Sequence, residues 1–363
     1  NGYLYVTDYG SNTVYVINPM NNSVIANIPV GNKPEWGIIY DPSNGYIYVT
    51  NFWSGTVSVI DPSSNQVIDT IPVGGGPVGI TYDPSNGYIY VVNFWSSTIS
   101  VIDPSSDQVI ANITISSIHI NSISPVDIAY DPNNGYLYVT SYYANNSTGY
   151  ILVINPVNNS IIDKIRVGNK PEGIVYDPSN GYLYVTDYGS NTVYVINPMN
   201  NSVIANIPVG GGPVGIVYDP DNGYIYVANT GSNTISIIDP SSDQVIANIL
   251  LGAYPAGIVY DPSNGYLYVT NSGSGTISVV AVTLSPINYT SITNSTSTST
   301  MSNTTTHPSS TTSTTPTTNS STTTSTTTVT KPPTIPTTLI VGVTIVVIIV
   351  VAAVVMLRMR VRK

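Results

Sequence analysis

The chain has 363 residues, of which 8% are charged, with two histidines and no cysteine; an ordinary globular chain is about 25% charged. These counts exclude a disulfide framework, a thiolate metal site and a cysteine nucleophile, and they leave little for histidine-based catalysis. Nine Lys and Arg against nineteen Asp and Glu argue against a polyanionic partner, so no nucleic acid is expected. All nineteen acidic residues lie between Asp8 and Asp261, where only Lys33, Lys164, Arg166 and Lys170 accompany them, so this body carries −15.

Residues 1–284 are organised by repeats. Asn-Gly-Tyr begins at residues 1, 44, 86, 134, 180, 222 and 264, and residues 1–31 recur unchanged at 180–210. A period near 42 built from short β segments is that of a propeller blade. In one unit, the apolar run 79–82 leads into Asp83-Pro84-Ser85-Asn86-Gly87, where Pro, Asp and Asn-Gly are turn formers. Strands are then expected at 88–92, 98–102 and 108–113, the last two separated by the turn 103–107. No helical period interrupts them.

The sequence therefore predicts an all-β, seven-bladed β-propeller of four-stranded blades. Tyr is abundant, at 29 residues, because each second strand supplies two and most inner strands one; a ring buried between blades with its hydroxyl at the edge explains most of them. The repeats contain seven second and seven third strands but six inner and six outer ones. With no initiator Met, the chain reads as a fragment whose ring is incomplete at the N-terminus, lacking a signal peptide and its first strands. The missing outer strand would close the ring on the last blade.

The strand Tyr-Val-Thr-Asn stands at 48–51 and 268–271, with close variants at 5–8, 90–93, 138–141, 184–187 and 226–229. In these motifs residues 1–280 resemble the YVTN family of β-propeller repeat proteins, found in archaeal surface layers and related cell-envelope proteins. The resemblance implies the propeller fold and a cell-surface setting, and it carries no shared catalytic set.

Every Phe and Trp falls in outer-to-inner or second-to-third strand segments, which share one face of a propeller. Trp36 is an extra residue in the stretch 31–37, Phe52-Trp53 and Phe94-Trp95 occupy the same loop of adjacent blades, and Tyr142-Tyr143 follow on the next. These seven residues are the candidate binding site: flat aromatic platforms beside Asn and Ser suit sugar rings or a partner surface. The competing reading is that the rings only cap blade ends.

The paired carboxylates of 103–107 and 239–243 offer too few oxygens for Ca²⁺ and are accounted for by turn chemistry. Lys33 and Lys170, each two residues from Glu35 or Glu172, read as solvated pairs of little worth. His119, in the long loop 116–125, has no nearby carboxylate partner in sequence. No catalytic residue, metal or cofactor is expected. Candidate N-glycosylation sites in the body are Asn21, Asn112, Asn145, Asn146, Asn158 and Asn200, mostly in third-to-outer turns on the face opposite the aromatics.

Residues 285–338, with 36 Ser or Thr among 54, read as a disordered Ser/Thr/Pro-rich glycosylated stalk with further sequons at Asn288, Asn294, Asn303 and Asn319. Residues 339–357 are uncharged and suit one transmembrane helix. The basic tail 358–363 would be cytoplasmic and the propeller extracellular. Function is thus expected to be that of a membrane-anchored, non-enzymatic surface module binding envelope glycans or neighbouring proteins. The alternatives are a structural surface-layer component and a channel-based lyase or lactonase, for which Asp127 is the one inner-strand carboxylate at the Gly-Ile-x-Tyr position.

Overall fold

The computed structural model describes residues 2–115, 123–143 and 148–284, together with the backbone of Thr326–Thr327 and Val343–Ile348. Four-stranded antiparallel sheets occupy residues 34–72, 77–114, 123–167, 171–208 and 213–250, the second to sixth blades. Among the described residues the first blade has three strands, Leu4–Asp8, Thr13–Asn18 and Ser23–Pro29, and no inner one. The seventh contributes Pro255–Asp261, Tyr266–Asn271 and Thr276–Leu284. Up to residue 284 the expected inventory is found, and the chain is an all-β seven-bladed propeller.

Local chemistry sets the strand limits. In the third blade the Asp83 carbonyl accepts from Gly87 N–H at 2.9 Å, its Oδ1 accepts from Ser85 N–H at 2.8 Å, and Gly87 takes φ +77°. That turn reverses the chain between Pro77–Asp83 and Tyr88–Asn93. Third and outer strands pair with a one-residue register shift in all six blades that have both, which adds the twist a blade needs.

Neighbouring blades are fastened on both rims. Tyr48, Tyr90, Tyr138, Tyr184 and Tyr226 are fully buried between blades, each with its hydroxyl accepting from the Asn four residues earlier. The Tyr48 hydroxyl also donates to Asp107 of the next blade at 3.3 Å, and Tyr268 donates to the Pro19 carbonyl at 3.4 Å, bringing the seventh blade onto the first. On the other rim the Thr50 hydroxyl donates to the Val78 carbonyl at 2.9 Å, and Thr186 to Val214 at 2.8 Å. Inner strands pass so closely that a Cβ on Gly37 would lie 2.0 Å from the Val78 carbonyl oxygen, so only glycine fits there.

A second unit, Ala281–Ile348, contains the antiparallel pair Thr326–Thr327 and Val343–Ile348, with Thr326 opposite Val346. Otherwise the expected stalk, membrane helix and basic tail lie outside the described residues. Among the described residues no helix is long and apolar enough to cross a membrane.

Candidate active site at the aromatic face

The inner strands carry glycine before the Ile of each repeat, at Gly37, Gly79, Gly173, Gly215 and Gly257; the fourth blade has Asp127 instead. The Asp127 backbone N–H donates to Thr140 Oγ1 at 2.9 Å. Its Oδ1 accepts from Ile128 N–H at 2.9 Å, and its Oδ2 from Ile174 N–H of the fifth blade at 3.2 Å. Asp127 as a residue keeps partial solvent access, while its carboxylate is enclosed by protein. Burial pushes its pKa up to about 6, outweighing the two backbone N–H groups that favour its charged form.

Glu172 lies beside it. Thr140 Oγ1 donates to the Glu172 carbonyl at 2.7 Å, linking the two inner strands. Glu172 is 3% exposed, its Oε1 pairs with Lys170 Nζ at 3.1 Å, and its Oε2 has no hydrogen-bond partner. Burial raises its pKa against the pull of Lys170, and the Asp127 and Asp187 charges add to the rise. The sequence reading of this pair as solvated and inconsequential is corrected: neighbouring blades bury the carboxylate while the ammonium stays partly open. Burial by itself would lower Lys170, yet Glu172 and Tyr142 raise it, so it remains a cation at neutral pH. The loop before Lys170 is held by Asp187, which accepts from Asn169 N–H at 2.6 Å and Lys170 N–H at 3.0 Å.

Five of the seven expected aromatics form one array next to this cluster. Ring centroids of Trp53 and Trp95 are 5.3 Å apart at 87°, Trp95 and Phe52 4.4 Å, Phe52 and Phe94 6.4 Å, and Phe94 and Tyr142 6.2 Å. Lys170 Nζ then lies 5.5 Å from the Tyr142 ring and 4.6 Å from the Tyr188 ring. The loops share a face because they bond to one another: Phe52 N–H donates to the Lys33 carbonyl at 2.9 Å and Phe94 N–H to Gly76 at 2.8 Å.

Trp36 differs from expectation. It belongs to the inner strand Pro34–Tyr40, at a register break, with φ +65° and 53% exposure. A bulky side chain in the left-handed region is strained, and the inserted residue is accommodated only by that bulge. Of Tyr143 only the backbone is described, in Tyr136–Tyr143; His119, Asn145, Asn146 and the four stalk sequons lie outside the described residues. Asn21, Asn158 and Asn200 sit in exposed third-to-outer turns, and Asn112 is an exposed outer-strand residue whose Oδ1 accepts from Ser100.

Among the described residues no three His, Cys, Asp or Glu side chains gather where they could hold a metal ion. A cleft of about 460 Å³ on the opposite face is lined by Tyr88, Tyr130, Tyr136 and neighbouring Asn and Ser residues; it contains no carboxylate or amine to serve as acid or base.

Residues 37–273 match a protein family described as SMP-30/Gluconolactonase/LRE-like region. No curated protein matches the chain in sequence. Among solved structures, Kuenenia stuttgartiensis hydrazine synthase is similar with a TM-score of 0.69 at 19% identity, over 77% of this chain and 92% of that one. The Pseudomonas aeruginosa periplasmic gluconolactonase gives 0.63 at 15% over 77% and 91%, and a putative 6-phosphogluconolactonase from Bacteroides fragilis gives the same values. At such identities these structures share the fold alone. The repeat resemblance therefore holds at the level of a β-propeller repeat protein, and the matching family is the gluconolactonase-type one. That match overturns the expectation of a non-enzymatic adhesion or surface-layer module. What low overall charge did not reveal is that Asp127 and Glu172, from separate blades, are both enclosed by protein and close enough for their charges to interact.

Proposed function

Because the chain belongs to the SMP-30/gluconolactonase/LRE-like family, we propose that it hydrolyses cyclic esters of polyhydroxylated acids where the channel opens on its aromatic face. The observation that carries the reading is Asp127, at the inner-strand position where the other repeats have glycine: its carboxylate is raised to about 6 and the residue keeps partial solvent access. A base of that pKa is ionised at neutral pH and retains a useful affinity for a proton.

In this reading Asp127 takes a proton from a water molecule as the water oxygen bonds to the lactone carbonyl carbon. Lys170 stabilises the negative charge that develops on the carbonyl oxygen. The bond from that carbon to the ring oxygen then breaks, and the ring oxygen recovers the proton from Asp127, leaving a hydroxy acid that ionises in solution. Glu172 orients Lys170 through Oε1. Among the described residues the side chains do not form a metal-holding group, and no role is assigned to a metal.

The test is turnover of a panel of aldonolactones, read as acid release with a pH indicator. Activity should rise with pH and level off above an apparent pKa of about 6, and Asp127→Asn should remove that limb. No release above the buffer rate from any lactone would end the reading. We further infer that the propeller works outside the cell, from the apolar span 339–357, the basic residues after it and the Ser/Thr-rich tract before it.

A further inference from the structure

The hydrolysis reading makes use of Asp127, Glu172 and Lys170 and leaves the aromatic array without a role. Trp53 and Trp95 are 60% and 52% exposed, which is unusual for the two largest side chains of adjacent loops. Their contacts with Phe52 hold the rings at set angles, so little conformational entropy remains to be lost when a ligand lands on them. The loops that present them, 52–56, 73–76 and 94–98, contain Ser, Thr and Gly and no charged residue. This neutral, hydroxyl-bearing strip stands out on a body of net charge −15. A carboxylated or phosphorylated polymer would be repelled by the surrounding field, whereas an uncharged, hydroxylated ring can set its C–H groups on the ring faces and its hydroxyls on the serines. The strip is continuous with the reaction site through Phe94, Tyr142 and Lys170.

We propose that the Trp53–Trp95–Phe52–Phe94 array is a glycan-stacking subsite that binds neutral sugar residues attached to the lactone, so that the substrate class is lactone-ended oligosaccharides. This rests on the hydrolysis reading for the reacting end and stands on its own for the sugar end.

The experiment uses the full chain in two arms. In the first, kcat/KM is measured for cellobionolactone and for glucono-δ-lactone. The disaccharide should be preferred, and Trp53→Ala and Trp95→Ala should each reduce the preference about tenfold, the value of one good aromatic contact. In the second, cellotetraose and maltotetraose, which carry no lactone, are titrated against intrinsic Trp fluorescence. Saturable quenching that either substitution abolishes supports the subsite even if no lactone is turned over, which separates it from the hydrolysis reading. Both side chains are largely exposed, so the melting temperature should be unchanged and reports that the variants fold. Lactone turnover with no disaccharide preference and no oligosaccharide binding would overturn the subsite while leaving the hydrolase intact. Quenching by tetramethylammonium but by neither tetrasaccharide would assign the rings to cations and overturn it equally.

Discussion

Residues 1–31 and 180–210 are identical in sequence and differ in what surrounds them. In the fifth blade the strand Tyr182–Asp187 is buried from its second residue onward, and Asp187 accepts from Asn169, Lys170, Gly189 and Ser190 backbone N–H groups. In the first blade Leu4–Asp8 is only partly buried throughout, and Asp8 bonds to Gly10 N–H and Ser11 Oγ within its own turn. Each copy has a lysine over the tyrosine that follows, but Lys33 comes from the next blade and Lys170 from the loop preceding its own. One 31-residue segment thus makes either a loop-clamping site or a solvated turn. Among the described residues the difference is the inner strand Pro171–Asp177 and the loop before it, whose N–H groups Asp187 binds.

If inner strands carry the chemistry, the largest effect belongs to Asp127→Asn, which should lower kcat about 10²- to 10⁴-fold with KM little changed. A variant of unaltered kcat would remove Asp127 from the reaction. The matched pair Asp187→Ala and Asp8→Ala tests the comparison directly. The first removes a buried carboxylate shared by four part-buried backbone N–H groups and should cost about 2–3 kcal/mol in urea unfolding, the second about 1 kcal/mol or less. Equal losses would show that the inner strand is not what distinguishes the copies. Lys170→Ala uncovers the buried Glu172 charge and should cost about 1–2 kcal/mol, against about 0.5 kcal/mol for Lys33→Ala, which loses a cation–π contact at the surface.

The smallest effect is in the pH dependence of melting. Asp127 and Glu172 hold their protons more tightly folded than unfolded. Their contribution to stability is therefore full below the unfolded carboxylate range and is lost as pH rises through the folded values. The melting temperature should decline between about pH 4 and pH 7, and less so in Asp127→Asn.

Much of this could be read from sequence, because a repeated turn such as 83–87 and alternating strands between such turns leave few other folds open. Asp127 was legible as a departure from a glycine position. Glu172 was not: Lys33-Pro34-Glu35 and Lys170-Pro171-Glu172 are the same tripeptide, and only the latter forms the buried pair, because Thr140 and Tyr142 of the fourth blade close over it. The aromatics could be assigned to one face, but their spacing depends on how far blades are rotated about the axis. Trp36 could not be placed, since a single inserted residue is as easily absorbed by a loop as by a strand bulge.

The fasteners between blades have a mechanical consequence. Tyr48 and Thr50 tie the second blade to the third, and Tyr138 and Thr140 tie the fourth to the fifth, so these blades meet along a seam pinned at both ends. A seam of that kind resists both hinge and shear between the blades it joins. In the hydrolysis proposed above, a substrate would enter along the axis past side chains of the loop face, and exclusion of bulk water would fall to a few rotamers at the mouth. Amide exchange should accordingly be slowest along the seams joining the second blade to the third and the fourth to the fifth, with faster exchange in the loops that frame the opening.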